Sequence, residues 1–326
     1  MRVVSVSEPG GVANLSIVDA APPIPEADEI LVRAVASGVN RADLLQRRGH
    51  YPPPPGTTDT LGLEASGVVE AVGADVTRWR PGDEVVALLA GGGYAEQFVV
   101  PAGSAVPPPP GVDLVTAAGV LEVAATVASN FATVGLAAGE TVLIHGGAGG
   151  IGTFATQYAA ALGCRVAATA GTPAKLEHCR EYGTDIALDY HEDWVAGLMA
   201  ATQSHGADVI LDIMGAKYLE LNVAALAARG RMVTIGLQGG VKGTLNLGLL
   251  LKKMATLTAT SVRLRSVAEK SAICTLVEEQ VWPMLGSGQV LPAPTTRFDF
   301  DQVRAAHEYL DSGTNIGKVV LVHSGR

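Results

Sequence analysis

Three glycines and a hydroxyl–cation pair are the residues of this chain whose types and spacing point most directly to chemistry. In the stretch Thr141-Val-Leu-Ile-His-Gly-Gly-Ala-Gly-Gly-Ile-Gly-Thr153, Gly147, Gly149 and Gly152 fit G-x-G-x-x-G. At that spacing the first glycine lets a turn close, the second lets a pyrophosphate approach the backbone, and the third lets a helix pack closely. Gly150 and Ile151 open the helix, so its free N–H groups point at the same phosphates. The implied chemistry is dinucleotide binding. About 20 residues beyond the glycines, a carboxylate usually holds the ribose 2′-hydroxyl of an unphosphorylated dinucleotide. Here the sequence reads Ala168-Thr-Ala-Gly-Thr-Pro-Ala-Lys175, with neither Asp nor Glu. Thr172 and Lys175 suit a 2′-phosphate instead, which indicates NADPH rather than NADH. A solvated first-turn lysine is the plain alternative for Lys175. Lysine is mildly unfavourable at a helix N-terminus, however, and a bound phosphate gives it a reason to be there.

Such a turn needs a strand before it and a helix after it. Val142, Leu143 and Ile144 form the apolar run of a buried strand. Ile151, Phe154, Ala155, Tyr158, Ala159 and Leu162 then recur at helical spacing on one face. Further strands are expected at Arg165–Thr169, Asp185–Asp189, Asp208–Ile213, Arg231–Ile235 and Thr256–Val262, with helical patterns between them. One of these helices opens at Thr172-Pro173, a capping residue followed by proline, and closes at Gly183. Strands alternating with helices predict an α/β fold with a doubly wound parallel sheet, the Rossmann plan, over residues 122–263. Before it, residues 1–121 alternate short strand-like runs with glycine and proline. The runs are Met1–Val6, Glu29–Ala36, Ala65–Val72, Glu84–Leu89 and Tyr94–Val100, and they predict a mostly β domain. Leu114–Val134 reads as one buried helix and Val267–Leu285 as one long helix. A further helix is expected at Asp299–Leu310, and Lys318–Val322 as a last strand. Residues 264–326 lack a sheet of their own and are expected to complete the first domain.

Composition narrows the function classes. The 326 residues are 48% hydrophobic and 17% charged, with a net charge of −9 and no Lys/Arg-rich block, so nucleic acid is not an expected partner. The N-terminus lacks the apolar core of a signal peptide, and the longest apolar stretch, near Val112–Leu136, is interrupted by Asp113 and Glu122. A cytoplasmic protein is expected. Cys164, Cys179 and Cys274 are widely spaced and form no C-x-x-C, so neither a disulfide framework nor a structural zinc site is indicated. The seven histidines make no ligand-like spacing and read mostly as surface or capping residues.

Several strings carry a resemblance to the medium-chain dehydrogenase/reductase superfamily. Gly62-Leu-Glu-Ala-Ser-Gly67 followed by Val72-Gly73 resembles its G-x-E-x-x-G motif, and Ser37-Gly-Val-Asn-Arg-Ala-Asp43 resembles its first catalytic loop. Gly139–Gln157 is similar to the signature of the quinone oxidoreductase and zeta-crystallin subfamily. It departs at Gly147, where the signature has Ser, Ala or Pro. Asn40-Arg-Ala-Asp-Leu-Leu-Gln-Arg-Arg-Gly-His-Tyr51 and Asn315-Ile-Gly-Lys-Val-Val320 point to the same subfamily. The resemblance implies a GroES-like first domain. It also implies cofactor contacts from Gly171, Thr172, Lys175 and Tyr190 at the 2′-phosphate, and from Asn40, Thr126, Gly236, Leu237 and Asn315 towards the nicotinamide.

Zinc relatives place Cys and His where this sequence has Ser37 and Leu63, which cannot complete a three-ligand site, so no metal is expected. The implied activity is zinc-independent reduction of a quinone or enone by NADPH. Asn40 and Tyr51 are the candidate catalytic residues, with Tyr51 giving a proton or a hydrogen bond to the acceptor oxygen. Tyr51 packed over the prolines is the competing reading, and Asp43 can equally be a helix cap. Relatives pair the last strand of the Rossmann sheet with that of a second copy, so a homodimer through Thr256–Val262 is implied. Two other functions fit the same motifs. One is an enoyl-thioester reductase, with Arg41, Arg47 and Arg48 serving a large anionic substrate. The other is a non-catalytic, crystallin-like NADPH binder.

Overall fold

The computed structural model describes residues 1–323. The chain divides into two compact units. One comprises Met1–Ala125, Val262–Gly288 and Pro292–Arg326, and the other Thr126–Ser261 with Gln289–Leu291.

The first unit begins with an antiparallel ribbon of β1 (Arg2–Val6) and β2 (Leu15–Asp19). Then come β3 (Glu29–Val39), the short helix α1 (Arg41–Arg47), β4 (Glu64–Val72), β5 (Glu84–Leu88), β6 (Gln97–Pro101) and β7 (Ala105–Val106). Alternating apolar positions on these strands, among them Ile30, Val32, Val69, Val85, Ala87, Phe98 and Val100, bury on one face and form the core with Trp79. The single helix expected over Leu114–Val134 is instead two, α2 (Leu114–Ala117) and α3 (Leu121–Val134). They part around Gly119, where a Cβ would lie 2.6 Å from the Lys318 side chain.

The second unit is a six-stranded parallel sheet with the topology of a doubly wound fold. Its strands are β8 (Thr141–His145), β9 (Arg165–Ala170), β10 (Ile186–Asp189), β11 (Ala207–Asp212), β12 (Leu226–Thr234) and β13 (Thr256–Ala259), in the order β10-β9-β8-β11-β12-β13. Every residue of β8 is buried, as expected of a strand covered on both faces. Helix α4 (Gly150–Ala161) follows β8, and α5 (Pro173–Glu181) follows β9. The last strand ends at Ala259, short of the expected Val262, because the chain turns at Val262–Arg265 with the Arg265 N–H on the Val262 carbonyl.

The chain then returns to the first unit. The helix expected over Val267–Leu285 is broken into Val267–Leu276, a π-helical turn Val277–Val281 and Trp282–Gly286. Pro283 has no N–H to donate to the preceding turn, and the wider turn just before it accommodates that loss. After these pieces, β14 (Thr295–Asp299) lies parallel to β15 (Lys318–Val322), which in turn pairs antiparallel with β3. The resulting sheet has the order β14-β15-β3-β4-β5-β7, with β6 also on β3.

Candidate functional site

In the second unit, the turn between β8 and α4 is built by the glycines in a division of labour that differs from the expected one. The left-handed residue that closes the turn is Gly146, with φ +73°, not Gly147. Gly147 is needed for packing, since a Cβ there would lie 2.7 Å from Ala168 Cβ and 2.8 Å from Cys179 Sγ. Its N–H donates to the Thr169 carbonyl of the neighbouring strand at 2.9 Å. Gly152 brings α4 onto the turn: a Cβ there would lie 2.2 Å from the Gly146 carbonyl oxygen. Gly149 alone faces open space, its nearest obstruction being the Gly146 oxygen at 3.6 Å. It caps α4 with extended geometry and no side chain, so the N–H groups of Gly150 and Ile151 open the helix with nothing over them from the cap.

Below the turn, His145 is buried rather than on the surface. Its Nε2 donates to Asn222 Oδ1 at 2.7 Å, and its Nδ1 accepts from Thr169 Oγ1 at 3.1 Å. Burial pushes its pKa down, keeping it neutral. His178, His307 and His323 are also buried, so four of the seven histidines depart from the surface role expected of them.

At the tips of the neighbouring strands the phosphate-end candidates gather. Thr172 Oγ1 accepts the Lys175 N–H at 3.3 Å as the cap of α5. Tyr190 follows β10 and lies against Gly171, where a Cβ would fall 2.1 Å from the phenol ring. Thr172, Lys175 and Tyr190 therefore follow β9 and β10 at one end of the sheet, with no carboxylate at the tip of β9, a residue set that fits a phosphorylated ribose. Gly236 and the exposed Leu237 come just after β12, at the same carboxyl end of the sheet. Thr126 is buried on α3.

In the first unit, Asn40 stands where β3 gives way to α1, and its amide is held from both sides. Nδ2 donates to Glu64 Oε1 at 3.0 Å, and Lys318 Nζ donates to Oδ1. Lys318 and Glu64 form an ion pair at 2.6 Å with side chains 5% and 1% exposed. The second Glu64 oxygen accepts the Glu122 N–H, at the start of α3, at 3.0 Å. Gly38 and Gly119 leave room for this pair, since a Cβ at Gly38 would lie 2.2 Å from Glu64 Oε1. These contacts leave one Asn40 Nδ2 proton available to a ligand.

Asp43 proves to be a structural acceptor. Its Oδ2 takes the Asn40 N–H at 2.8 Å and its Oδ1 the Gly62 N–H at 3.0 Å. Burial raises its pKa to about 6 against the pull of these N–H groups. Tyr94 Oη donates to Asp43 at 3.3 Å, so His307 Nε2 must donate to Tyr94 and its Nδ1 must accept from Arg47. Burial and the adjacent Arg47 push His307 down to about 3, so the ring is neutral and its one N–H is the one given to Tyr94.

Tyr51 is half-buried, its ring 5.0 Å from the guanidinium carbon of Arg263. Asn315 is also half-buried, with Nδ2 3.5 Å from the Gly317 carbonyl. At the positions where zinc relatives carry ligands, Ser37 Oγ donates to the Gly93 carbonyl at 2.5 Å and meets His323 Nε2 at 2.8 Å, while Leu63 is buried. Among the described residues, no group of three or more His, Cys, Asp or Glu is placed to hold a metal ion.

Sequence reasoning did not single out Lys318, Arg263 or Glu64 as site residues. Glu64 was visible as a motif member, and Lys318 lay inside a quoted string. Arg263 had no local signal at all.

Comparison with known proteins places these features in context. Residues 26–110 match the alcohol dehydrogenase GroES-like domain, and residues 150–278 the domain described as zinc-binding dehydrogenase. A quinone oxidoreductase of Pseudomonas aeruginosa is 33% identical over 317 residues, covering 96% of this chain and 97% of that protein. The structure of Escherichia coli quinone oxidoreductase complexed with NADPH superimposes with a TM-score of 0.88 at 29% identity, covering 99% of this chain and 100% of that one. The CurK enoyl reductase is similar too, with a TM-score of 0.86 at 25% identity over 99% of both chains. With its GroES-like first unit, its doubly wound second unit and this full-length likeness, the chain belongs to the quinone oxidoreductase subfamily of the medium-chain dehydrogenase/reductase superfamily.

Proposed function

We propose that this chain is a cytoplasmic, zinc-independent reductase that transfers hydride from NADPH to a quinone. The observation that carries the reading is the full-length likeness to quinone oxidoreductases. It is supported by a β9 tip that offers Thr172 and Lys175 and no carboxylate. NADPH supplies the hydride when bound. Gly149, Gly150 and Ile151 receive the pyrophosphate, with Gly147 and Gly152 keeping the turn packed. Gly171, Thr172, Lys175 and Tyr190 hold the 2′-phosphate, and Thr126, Gly236, Leu237 and Asn315 serve the nicotinamide end. Asn40 offers its remaining N–H to the cofactor amide or the acceptor oxygen, fixed in orientation by Lys318 and Glu64. Tyr51 donates a hydrogen bond to the acceptor oxygen. Proximity and fixed dipoles, rather than a Lewis acid, do the work in this reading.

The same proposal includes a homodimer. β13 is an edge strand with one partner, and beside it Leu247, Leu250, Leu251, Met254 and Ala255 line an apolar hollow of about 390 Å³. Leu251 is 78% exposed and Leu247 67%, surfaces that a second copy would cover. Leu251→Glu is expected to yield monomers by light scattering.

The activity is tested by following NADPH oxidation by EDTA-treated protein with phenanthrenequinone, with crotonyl-CoA in parallel and NADH as the second cofactor. Quinone turnover with NADPH, undiminished by EDTA, supports the proposal. Turnover with the thioester alone replaces it with the enoyl-reductase reading, and tight NADPH binding without turnover with the crystallin-like one.

A further inference from the structure

Arg263 is a buried cation, 4% exposed, and among the described residues no carboxylate lies within ion-pair distance of it. Its donors go to neutral oxygens on three separate segments. Nε donates to the Ala90 carbonyl at 2.7 Å, one terminal nitrogen to the Tyr51 carbonyl at 3.2 Å, and the other to Gln46 Oε1 at 2.7 Å. Gln46 Nε2 in turn donates to the Asp59 carbonyl at 3.0 Å. The segment from Tyr51 to Asp59 is thus gripped at both ends, directly and through Gln46, by one guanidinium, whose carbon also sits over the Tyr51 ring at 5.0 Å.

The reason such a grip is needed lies in the loop's sequence. Pro52, Pro53, Pro54 and Pro55 have no N–H groups, so the loop has few donors with which to tie itself down and must be held through its carbonyls. An arginine can do this because its fork presents several donors in one plane and its face stacks on an aromatic ring. The Asp43 carboxylate acts on this cation only from beyond ion-pair distance, so burying it is costly, and packing alone gives no cause to keep it there.

We propose that Arg263 is a positioning residue for acceptor recognition: it fixes the Tyr51 ring and the proline loop in the pose that receives the quinone. The proposal rests on the reading of Tyr51 as an acceptor contact. Without the fork, the ring and loop sample other poses and the acceptor must select the competent one, which raises KM.

The test uses the full-length protein with NADPH and phenanthrenequinone. Arg263→Met is expected to raise KM for the quinone about tenfold, the scale of one lost hydrogen bond, while leaving the NADPH Kd within about twofold. Arg263→Lys, which keeps the charge and the ring contact but not the fork, is expected to fall between Met and the native chain. In a Tyr51→Ala background, Arg263→Met is expected to add little to KM. Cleavage by trypsin after Arg48 gives a readout that needs no turnover and is expected to quicken about tenfold in Arg263→Met.

An unchanged KM with unchanged proteolysis overturns the proposal, as does an Arg263→Met effect of equal size with and without Tyr51. A parallel loss of NADPH affinity and quinone affinity also overturns it, because that marks a general loss of fold. If Arg263→Met does not fold, Arg263→Lys and Gln46→Leu are judged by the same criteria. A native chain that turns over no quinone refutes the proposed function, and unchanged proteolysis in the variants then refutes the positioning role separately.

Discussion

The glycine turn of the second unit and the Asn40 corner of the first are stabilised in opposite ways. The turn is made by removing side chains: Gly146 adopts φ +73°, Gly147 admits Cys179 and Ala168, and Gly152 lets α4 rest on the turn. Its polar work is done by backbone N–H groups, which cost little to place because the helix already leaves them unpaired. The corner is made by adding charge. Lys318, Glu64 and Asn40 are buried together, and two glycines elsewhere in the chain are given up to make room for them. A site of the first kind tolerates little added volume, and one of the second kind tolerates little loss of charge balance.

The largest effect is expected from Lys318→Met, which leaves the Glu64 carboxylate buried with its counter-ion gone. A loss of about 3–5 kcal/mol in urea unfolding follows. The double variant Glu64→Leu/Lys318→Met removes both charges and is expected to recover much of that stability while losing quinone turnover. A double variant as unstable as the single one would show that the corner is not held by charge.

Acid comes next. Burial lowers His323 from 6.5 to about 4, so between those values the unfolded chain binds a proton that the native one refuses. Stability present above pH 6.5 is therefore lost as pH falls towards 4, by roughly 3 kcal/mol for this group. His307, lowered to about 3, acts in the same direction. Asp43, raised from 3.8 to about 6, acts in the opposite direction, because its protonated native form gains as pH falls through that window. Unfolding midpoints measured from pH 7 to pH 4 are expected to fall for the native chain and to fall less for His323→Gln.

Within the turn, Gly152→Ala is expected to cost about 1–3 kcal/mol, because its Cβ meets backbone that cannot give way. Gly149→Ala, facing open space, is expected to leave thermal stability nearly unchanged and to weaken NADPH binding. Equal effects at the two positions would erase the distinction between packing glycine and ligand glycine. The smallest change is expected from Lys175→Gln: no loss of stability, and a preference for NADPH over NADH reduced about tenfold.

What could be read ahead of the structure follows the same contrast. The strand-turn-helix around Gly147–Gly152 is a local pattern, so residues a few positions apart announced both the element and its use. Even there, spacing assigned the closing of the turn to Gly147, because two adjacent glycines look alike until the backbone angles are seen. The buried His145 escaped for a related reason, since its partners Thr169 and Asn222 lie 24 and 77 residues away. The corner depended on such distant partners throughout. Asn40 was visible, but Lys318 is 278 residues further along and Arg263 reaches Tyr51 across 212. No spacing rule connects a loop tyrosine to an arginine at that separation. The helix breaks at Gly119 and before Pro283 were written in residue type, yet apolar periodicity on either side outweighed them.

The position of β15 has a consequence for how the protein is made. This strand follows the second unit in sequence but lies inside the first unit's sheet, between β14 and β3. During synthesis β3 can pair with β4 and β6 early, but its remaining edge must wait for the whole second unit to be made before β15 exists. The second unit, drawn almost wholly from one continuous stretch, can finish first. Lys318 arrives only after the second unit, and with it the counter-charge that Glu64 and the amide of Asn40 require. A nascent chain halted before residue 318 is expected to protect its parallel sheet from protease while leaving β3 and β4 open to attack. The order in which the two halves mature is thus fixed by where a single late strand is inserted.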